Sequence, residues 1–296
     1  MIAYNHEAYI REAIDGVLMQ ETNFDLELII SNDGSSDRTH SVIEDHIRDH
    51  PRRSIIKYFH HEKNIGMMPN FIFTLKQCTG KYVALCEGDD HWTDSRKLQK
   101  QVDILEKDPE YSMVISNREV LTDSGSTPEY YEKNYKKEVF TIEDVVNGFV
   151  PGMQTIVCRN YPSFAEYLEA HPGIYYADRY LAYYCTLFGN IFLLKDITAV
   201  YRLTGSGVWS VNMPLQKLHK YVKFMEDFHA SLGIPSNNSL LARLAMDASY
   251  TTLRYCVKRP RLFANKEYRQ MITKPWNTYR KLNRVKLFIS VMFNRE

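Results

Sequence analysis

The sequence predicts an α/β fold of the Rossmann-like kind, in which helices cover both faces of a mostly parallel sheet. Through the first 116 residues, short apolar segments of strand length alternate with longer segments of helical periodicity. Several strand-like segments run directly into acids and glycines, and in doubly wound sheets ligands bind at that end of the strands. The chain has 296 residues, of which 44% are hydrophobic and 25% charged, as in ordinary globular proteins.

The predicted elements follow the order β-α-β-α-β-α-β with short loops, which is typical of a parallel sheet. Asn5 is expected to be the N-cap of the first helix, whose apolar residues recur at helical spacing. Ser36 or Asp37 is expected to cap the second helix. The predicted strands are residues 1–4, 26–30, 54–59, 82–86 and 111–116, and the later helices span residues 69–78 and 95–107.

The chain beyond these elements shows weaker patterns. Residues 118–137 are polar, rich in tyrosine and without clear periodicity, so we expect a loop over the site. Thr141 to Asp144 has the character of a capping box and is expected to begin a short helix. Two more helices are expected at 215–232 and 240–257, which gives three regions at 1–117, 118–210 and 211–296.

Composition excludes several classes of protein. Five cysteines without a Cys-x-x-Cys pair argue against a disulfide framework or structural zinc, and for a reducing, cytoplasmic compartment. No apolar run reaches the length of a membrane span. The net charge of +1 hides an asymmetry, because residues 254–296 contain twelve Lys and Arg against two acids and so carry +10. No recognised nucleic-acid-binding module accompanies that basic tail.

Three carboxylates directly follow the predicted strand 82–86. Glu87, Asp89 and Asp90 lie within four positions, and such acids repel one another unless a positive group lies among them. A divalent metal with oxygen ligands is the usual partner. The alternative is a solvated turn, because Gly-Asp-Asp is common turn chemistry.

Six motifs together resemble family 2 glycosyltransferases, most of all the bacterial members that build surface polysaccharides. The similarity is dense to about residue 115, thinner to 210 and absent beyond. The motifs are Tyr4-Asn5-His6-Glu7, residues 31–37, Asn64-Ile65-Gly66 with Asn70, Gly80-Lys81-Tyr82, residues 87–94, and Tyr201-Arg202 with residues 207–210.

The resemblance implies a GT-A fold and an inverting transfer of a sugar from a nucleotide-diphosphate sugar to a saccharide or polyprenyl-linked acceptor. Tyr4, Asn5, Asp33 and Asn64 match positions that hold the nucleotide sugar, with Asp33 reading the base edge. The acids Glu87, Asp89 and Asp90 match the motif that touches the ribose and binds Mn²⁺ or Mg²⁺ on the diphosphate.

The catalytic base implied by the resemblance is Asp178, which precedes a helical segment in the acceptor-binding region. The alternative is an ordinary acid in the first turn of a helix. Glu166 and Glu169 are the next candidates for the base.

Two departures from the family pattern leave a second function open. Thr204 stands where relatives often have a histidine, and residues 1–4 are expected to be the end of a strand that begins upstream. A catalytically impaired relic that binds a sugar or a partner is therefore the alternative to an active enzyme. A nucleotidyltransferase is disfavoured, because no glycine-rich, basic loop follows the first strand.

The basic tail also predicts a location. Lys281, Arg284 and Lys286 lead into the short apolar run 287–293. We expect residues 254–296 to attach the protein peripherally to an anionic membrane surface, with a packed terminal helix as the alternative.

Overall fold

The computed structural model describes residues 1–146, 148–170 and 177–203, together with positions 261, 264, 269, 270 and 273. The chain divides into two compact units, Met1–Ser210 and Val211–Glu296. The helices expected at 215–232 and 240–257, the apolar run 287–293 and Thr204 lie outside the described residues. Within the described residues, no helix is both long and apolar enough to cross a bilayer.

The first sheet has three parallel strands in the order β1-β2-β3. Every residue of β2 is buried, as expected for a central strand covered on both faces. Helices of matching amphipathic pattern connect the strands and carry the core residues Ile10, Ile14 and Ile43. The elements are β1 (Ile2–Ala3), α1 (Ile10–Leu18), β2 (Leu28–Asn32), α2 (Thr39–Ile47), a 3-10 turn (Arg53–Ile55), β3 (Ile56–His60) and α3 (Met67–Lys76).

The second sheet is mixed and contains most of the remaining strands, in the order β4-β9-β6-β10-β5. Strands β6 and β10 pair in parallel, and the other pairs are antiparallel. Its strands are β4 (Tyr82–Ala84), β5 (His91–Trp92), β6 (Tyr111–Thr122), β7 (Gly125–Glu129), β8 (Val139–Phe140), β9 (Val157–Arg159) and β10 (Asn190–Arg202). The helices around it are α4 (Lys97–Lys107), α5 (Tyr131–Tyr135), α6 (Ile142–Val146), α7 (Pro162–Ala170) and α8 (Ala177–Thr186), with a 3-10 turn at Met153–Thr155.

The predicted α/β class is confirmed, but the parallel sheet is smaller than expected. Strand β4 was predicted to continue it, and instead β4 pairs antiparallel with β9. The two sheets meet where the Gly88 N–H donates to the Ile2 carbonyl oxygen at 2.9 Å. Apolar content predicts that a segment is a buried strand, but it does not indicate the direction of the partner strand.

The prediction of a loop at 118–137 is wrong. Strand β6 continues to Thr122 and turns back through β7, and helix α5 follows. The hairpin escaped prediction because β7 is almost wholly exposed, so no apolar alternation marks it.

Two expected helix starts had different outcomes. The capping box is confirmed, because Thr141 N–H donates to the Asp144 carboxylate at 2.8 Å just before α6. Asn5 is not a helix N-cap, because α1 begins only at Ile10. Asn5 has a φ of 57°, and its side-chain oxygen accepts the Ser36 N–H at 2.9 Å. A short amide side chain tolerates this left-handed conformation, so Asn5 joins two loops.

An apolar slot of about 640 Å³ lies between β2 and β4, on the amino-terminal side of β1. The Met1 amino group lies at its end and donates to the Ile29 carbonyl oxygen at 2.7 Å. Burial lowers the pKa of this amino group, because the charged form is poorly solvated there. The residues that line the apolar slot include Leu26, Leu28, Val83, Ala84, Trp92 and Val102.

Candidate active site

The acidic turn, residues 87–90, leaves β4 at the boundary of the two sheets. Gly88 is required there, since an added Cβ would lie 2.8 Å from His6 Nδ1 and 3.1 Å from the Ile2 carbonyl oxygen. Its backbone is therefore pressed against the segment that leads into α1. This close approach fixes the position from which the neighbouring carboxylates project.

Burial and mutual repulsion dominate the electrostatics of the acidic turn. Burial, followed by the charges of Asp90, Asp89 and Asp178, raises the pKa of Glu87 well above its ordinary value. Burial and the charge of Asp89 raise the pKa of Asp90 to about 8, although an N–H donated by Arg202 opposes this shift. The cluster therefore holds negative charge at a free-energy cost that a bound cation would reduce.

Arg202, at the end of β10, ties the acidic turn in place. Its backbone N–H donates to the Asp90 carboxylate at 2.8 Å, and its Nε donates to the Asp89 carbonyl oxygen at 2.9 Å. Its Nη2 reaches Glu12 on α1 at 2.6 Å. In the sequence this arginine stands within a family motif but has no predicted role. Its contacts join three elements that are far apart in sequence.

Asp178 lies in the first turn of α8 and lines a cavity of about 270 Å³ together with Glu87. Burial raises its pKa, while the N–H of Arg179 and the charges of Arg179 and Arg118 oppose that shift. The structure thus brings the expected base and one expected metal ligand to the same cavity. Glu166 and Glu169 are exposed on α7, and Glu169 pairs with Lys76 at 2.5 Å.

Arg118 is a charged cavity residue that sequence reasoning missed. Its Nε donates to Glu129 of β7 at 2.6 Å, and its guanidinium lies 4.7 Å from the Tyr201 ring centroid. Arg118 and Tyr201 both line the cavity with Asp178. It had no predicted role, because it belongs to no recognised motif and residues 118–137 show no clear periodicity.

The residues expected to hold the nucleotide lie on three loops in mutual contact. Tyr4 is 45% exposed, as a side chain that meets a ligand must be before binding. Asn5 N–H donates to Ser35 Oγ at 2.9 Å. Gly34 has a φ of 62°, and a Cβ added to it would lie 2.6 Å from the backbone nitrogen of Asn64. The loops after β1, β2 and β3 therefore form one surface.

Asp33 is 2% exposed and holds two of these loops together. Its carboxylate oxygens accept the N–H groups of Ile65 at 2.7 Å and Gly66 at 3.1 Å. The expected role in reading the base edge stays a prediction. Independently of that role, these contacts show that Asp33 holds the loop after β3 against the loop after β2.

His6 is a further neighbour of the acidic turn that the sequence analysis did not assign. Its Nε2 lies 3.8 Å from the Asp89 carboxylate. Burial lowers its pKa, although the charges of Asp89 and Asp37 act in the opposite direction. His6 therefore places an imidazole beside the carboxylates from the β1 side of the site.

The residues fit a divalent metal that shares its coordination with a substrate. Among the described residues, no group of three or more His, Cys, Asp or Glu side chains is placed to hold a metal alone. Mg²⁺ and related ions are commonly bound by one or two carboxylates plus substrate phosphates. Glu87, Asp89 and Asp90 can supply those carboxylates, and their crowding favours a cation.

Comparisons with known proteins agree with this fold. The model of glycosyl transferase family 2 matches residues 1–160, more than half of the chain. An uncharacterized protein of Mycobacterium tuberculosis is 34% identical over 211 residues. The match covers 70% of this chain and 59% of that protein, so the chain spans less than two thirds of this relative.

Two solved structures show the same fold at low sequence identity. Residues 1–349 of TarS from S. aureus, in complex with UDP-GlcNAc, align with a TM-score of 0.60 at 15% identity. That alignment covers 94% of this chain and 78% of the other. The mannosyltransferase PcManGT from Pyrobaculum calidifontis, with GDP-Man and Mn²⁺, aligns with a TM-score of 0.56 at 14% identity. It covers 100% of this chain and 86% of that one.

The likeness to these two structures shows that the two-sheet α/β body has the GT-A fold. The chain belongs to glycosyltransferase family 2.

Proposed function

We propose that this protein is a metal-dependent, inverting glycosyltransferase. It moves a sugar, of the hexosyl type, from a nucleotide-diphosphate sugar to a hydroxyl of a saccharide or lipid-linked acceptor in bacterial surface polysaccharide synthesis. The observation that carries the proposal is the convergence of Glu87 and Asp178 on one cavity, each with a raised pKa. Buried acids with raised pKa values beside a cavity are typical of catalytic sites.

The donor is proposed to lie across the loops after β1, β2 and β3. Tyr4, Asn5, Asp33 and Asn64 would hold the nucleoside, and the contacts between these loops support a preformed surface. The diphosphate would then extend toward the acidic turn. Glu87, Asp89 and Asp90 would hold Mn²⁺ or Mg²⁺, which offsets the charge that develops on the departing diphosphate.

Asp178 is proposed to be the general base. A hydroxyl oxygen of the acceptor attacks the anomeric carbon while its proton passes to the Asp178 carboxylate. The bond between that carbon and the diphosphate oxygen breaks, and the nucleoside diphosphate leaves with the electron pair. Because burial raises its pKa, Asp178 binds a proton more strongly than an exposed aspartate.

Turnover of nucleotide sugars with Mn²⁺ tests this function. The purified chain is incubated with UDP-GlcNAc, UDP-glucose and GDP-mannose, and release of nucleoside diphosphate is measured with and without oligosaccharide acceptors. Binding is followed in parallel by the melting temperature, which rises when a ligand binds the native state. Binding without turnover would favour the relic. If the chain neither binds nor turns over any of the donors, the transferase proposal is contradicted.

Peripheral attachment to the inner face of the cell membrane through residues 254–296 completes the proposal. This segment lies almost wholly outside the described residues, so its basic composition is the support. Flotation with anionic vesicles should fall when residues 254–296 are removed, and it should weaken as salt rises. Equal flotation of both proteins would show that the tail does not bind membranes.

A further inference from the structure

Arg118 presents a guanidinium group to the cavity that Glu87 and Asp178 line, and the fold uses this group only in part. Its Nε donates to the Glu129 carboxylate. In the described part of the chain, its two terminal nitrogens donate to no group. Because these nitrogens carry most of the N–H donors of an arginine, the hydrogen-bonding capacity of this side chain is largely unused.

The terminal nitrogens of Arg118 are accessible from the cavity. The Arg118 side chain is 17% exposed. Among the described residues, the buried polar side-chain atoms without a partner are His6 Nδ1, Tyr82 Oη and Gln154 Nε2. The terminal nitrogens of Arg118 also lack a partner but do not belong to that set, so they are not buried. A ligand in the cavity can therefore reach them.

Three neighbouring elements fix the orientation of this guanidinium. Arg118 on β6 and Glu129 on β7 are paired across the two strands, so their ion pair joins adjacent positions. The ring of Tyr201 lies against the guanidinium, with its centroid 4.7 Å away. A Cβ added to Gly152 would lie 2.2 Å from Nη1, so the glycine provides the space that the group occupies. The terminal nitrogens are thus held in place before a ligand binds.

The charge of Arg118 sets it apart from the other cavity residues. Among the described residues that line the cavity, it is the only one with a positive charge. The acids Glu87 and Asp178 line the same cavity, but Arg118 forms no ion pair with either of them in the described structure. Its one carboxylate partner, Glu129, contacts only Nε. The terminal part of the guanidinium therefore lacks a counter-charge, which a partly buried cation requires.

We propose that Arg118 is a specificity-determining residue that binds an oxyanion of the acceptor, either a carboxylate or a phosphate group. The planar guanidinium fork matches two oxygens of such a group. The oxyanion belongs to the acceptor because the partners of Arg118 all come from residues 118–210, the region expected to bind the acceptor. This inference rests on the proposed function and narrows its acceptor to an acidic or phosphate-bearing saccharide.

Binding of small glycosides to the full-length chain tests the proposal. The donor site is first filled with a nucleoside diphosphate and Mg²⁺. The probes are methyl glucuronide, glucose 6-phosphate and the neutral methyl glucoside, and saturation-transfer NMR gives each Kd. At least one acidic probe should bind the wild type about tenfold more tightly than methyl glucoside, since hydrogen bonds between charged groups are the stronger ones. The tighter acidic probe shows whether the group is a carboxylate or a phosphate.

Three variants separate recognition from folding. In Arg118→Gln the preference for the acidic probe should disappear. Its melting temperature should fall by about 4 °C or less, because a partly exposed ion pair contributes about 1 kcal/mol or less. Arg118→Lys keeps the charge without the fork, so it should fold and lose about threefold or more of the preference. Arg48→Gln is the control, because Arg48 is exposed after α2 and pairs with Asp45 at 2.8 Å. This control should keep the full preference.

Equal affinity of the wild type for acidic and neutral probes would overturn the inference. A preference that survives in Arg118→Gln, or that Arg118→Lys retains in full, would do the same. A Kd for the nucleoside diphosphate that is tenfold weaker in Arg118→Gln would assign the guanidinium to the donor and also overturn it. None of these measurements requires turnover. If the wild type selects an acidic probe but turns over no nucleotide sugar, the proposed function fails while the oxyanion site stands.

Discussion

The two ends of β1 contrast sharply in chemistry, although both lie between β2 and the segment of β4. At the carboxyl end, the acidic turn is held by directed bonds such as those from Arg202 to Asp89 and Asp90. At the amino end, the apolar slot is defined mainly by the shape and apolar area of its walls. Changes of single polar atoms in the acidic turn should therefore affect activity. Filling the apolar slot should instead affect stability.

The largest effect is expected from Asp178→Asn. Loss of the proton acceptor should lower kcat about a thousandfold while the Kd of the nucleotide sugar stays nearly unchanged. Single-turnover assays and titration calorimetry measure the two quantities. Glu166→Gln, on the exposed face of α7, is the control and should behave as wild type. Retained turnover in Asp178→Asn with a loss in Glu166→Gln would move the base to Glu166.

The second largest loss of activity is expected from mutations in the acidic turn. Asp89→Ala and Asp90→Ala should each lower kcat/KM about a hundredfold, which is roughly 3 kcal/mol of transition-state stabilisation. EDTA should abolish wild-type activity, and Mn²⁺ should restore it. Asp123→Ala, an exposed acid in the β6–β7 turn, should change neither property. Full activity in EDTA would disprove the metal site.

Filling the apolar slot should change stability and leave the chemistry intact. Four added residues ahead of Met1, alternating valine and isoleucine, would extend β1 between β2 and β4 and remove the buried amino group. The free energy of unfolding should rise by about 3 kcal/mol, because apolar side chains leave water. Urea unfolding measures it, with an added Gly-Ser-Gly-Ser segment as the control. Equal midpoints for the two extensions would show that the slot does not accept a strand.

Lys97 gives the smallest expected effect and links stability to pH. It is fully buried on α4, its Nζ lies 4.7 Å from the Trp92 ring centroid, and its ammonium contacts Gln101. Burial lowers the pKa of Lys97 to about 7 from 10.5. Between these values the unfolded chain binds the proton more strongly, so stability should rise as pH rises from 7 toward 10.5.

Urea unfolding at pH 7 and pH 9 tests this linkage. The wild type should gain about 2 kcal/mol from Lys97 over that interval, and the gain should be absent in Lys97→Met. Lys107→Met, at the exposed end of the same helix, should keep the wild-type slope. An unchanged slope in Lys97→Met would mean that Lys97 stays protonated throughout.

Local patterns predicted the first half of the fold well. The strands found at Leu28–Asn32 and Ile56–His60 lie within two residues of their predicted bounds, because continuous apolar runs and helical stripes are properties of neighbouring residues. Pairing partners are not local. The antiparallel pairing of β4 with β9 joins residues about 75 positions apart, and nothing in the sequence of either strand specifies its partner.

The same distinction holds for the candidate site. The clustering of Glu87, Asp89 and Asp90 could be predicted because the three acids lie within four positions after a buried strand, and their role as metal ligands stays a prediction. The grouping of Arg118, Gln154 and Tyr201 could not, because each comes from a different segment and the cavity exists only after the second sheet forms. Arg202 likewise reaches Asp90 across 112 positions.

The hydrogen bond from Gly88 to Ile2 ties the position of the acidic turn to the alignment of one short strand. A slip of β1 by one residue along its axis would carry the Ile2 carbonyl oxygen about 3.3 Å away from its partner. The acidic turn would lose one of its anchors, and its carboxylates would shift relative to Asp178 by about the length of a covalent bond or more. Residues that hold β1 against β2 would then set the distance from the acidic turn to Asp178, the proposed base.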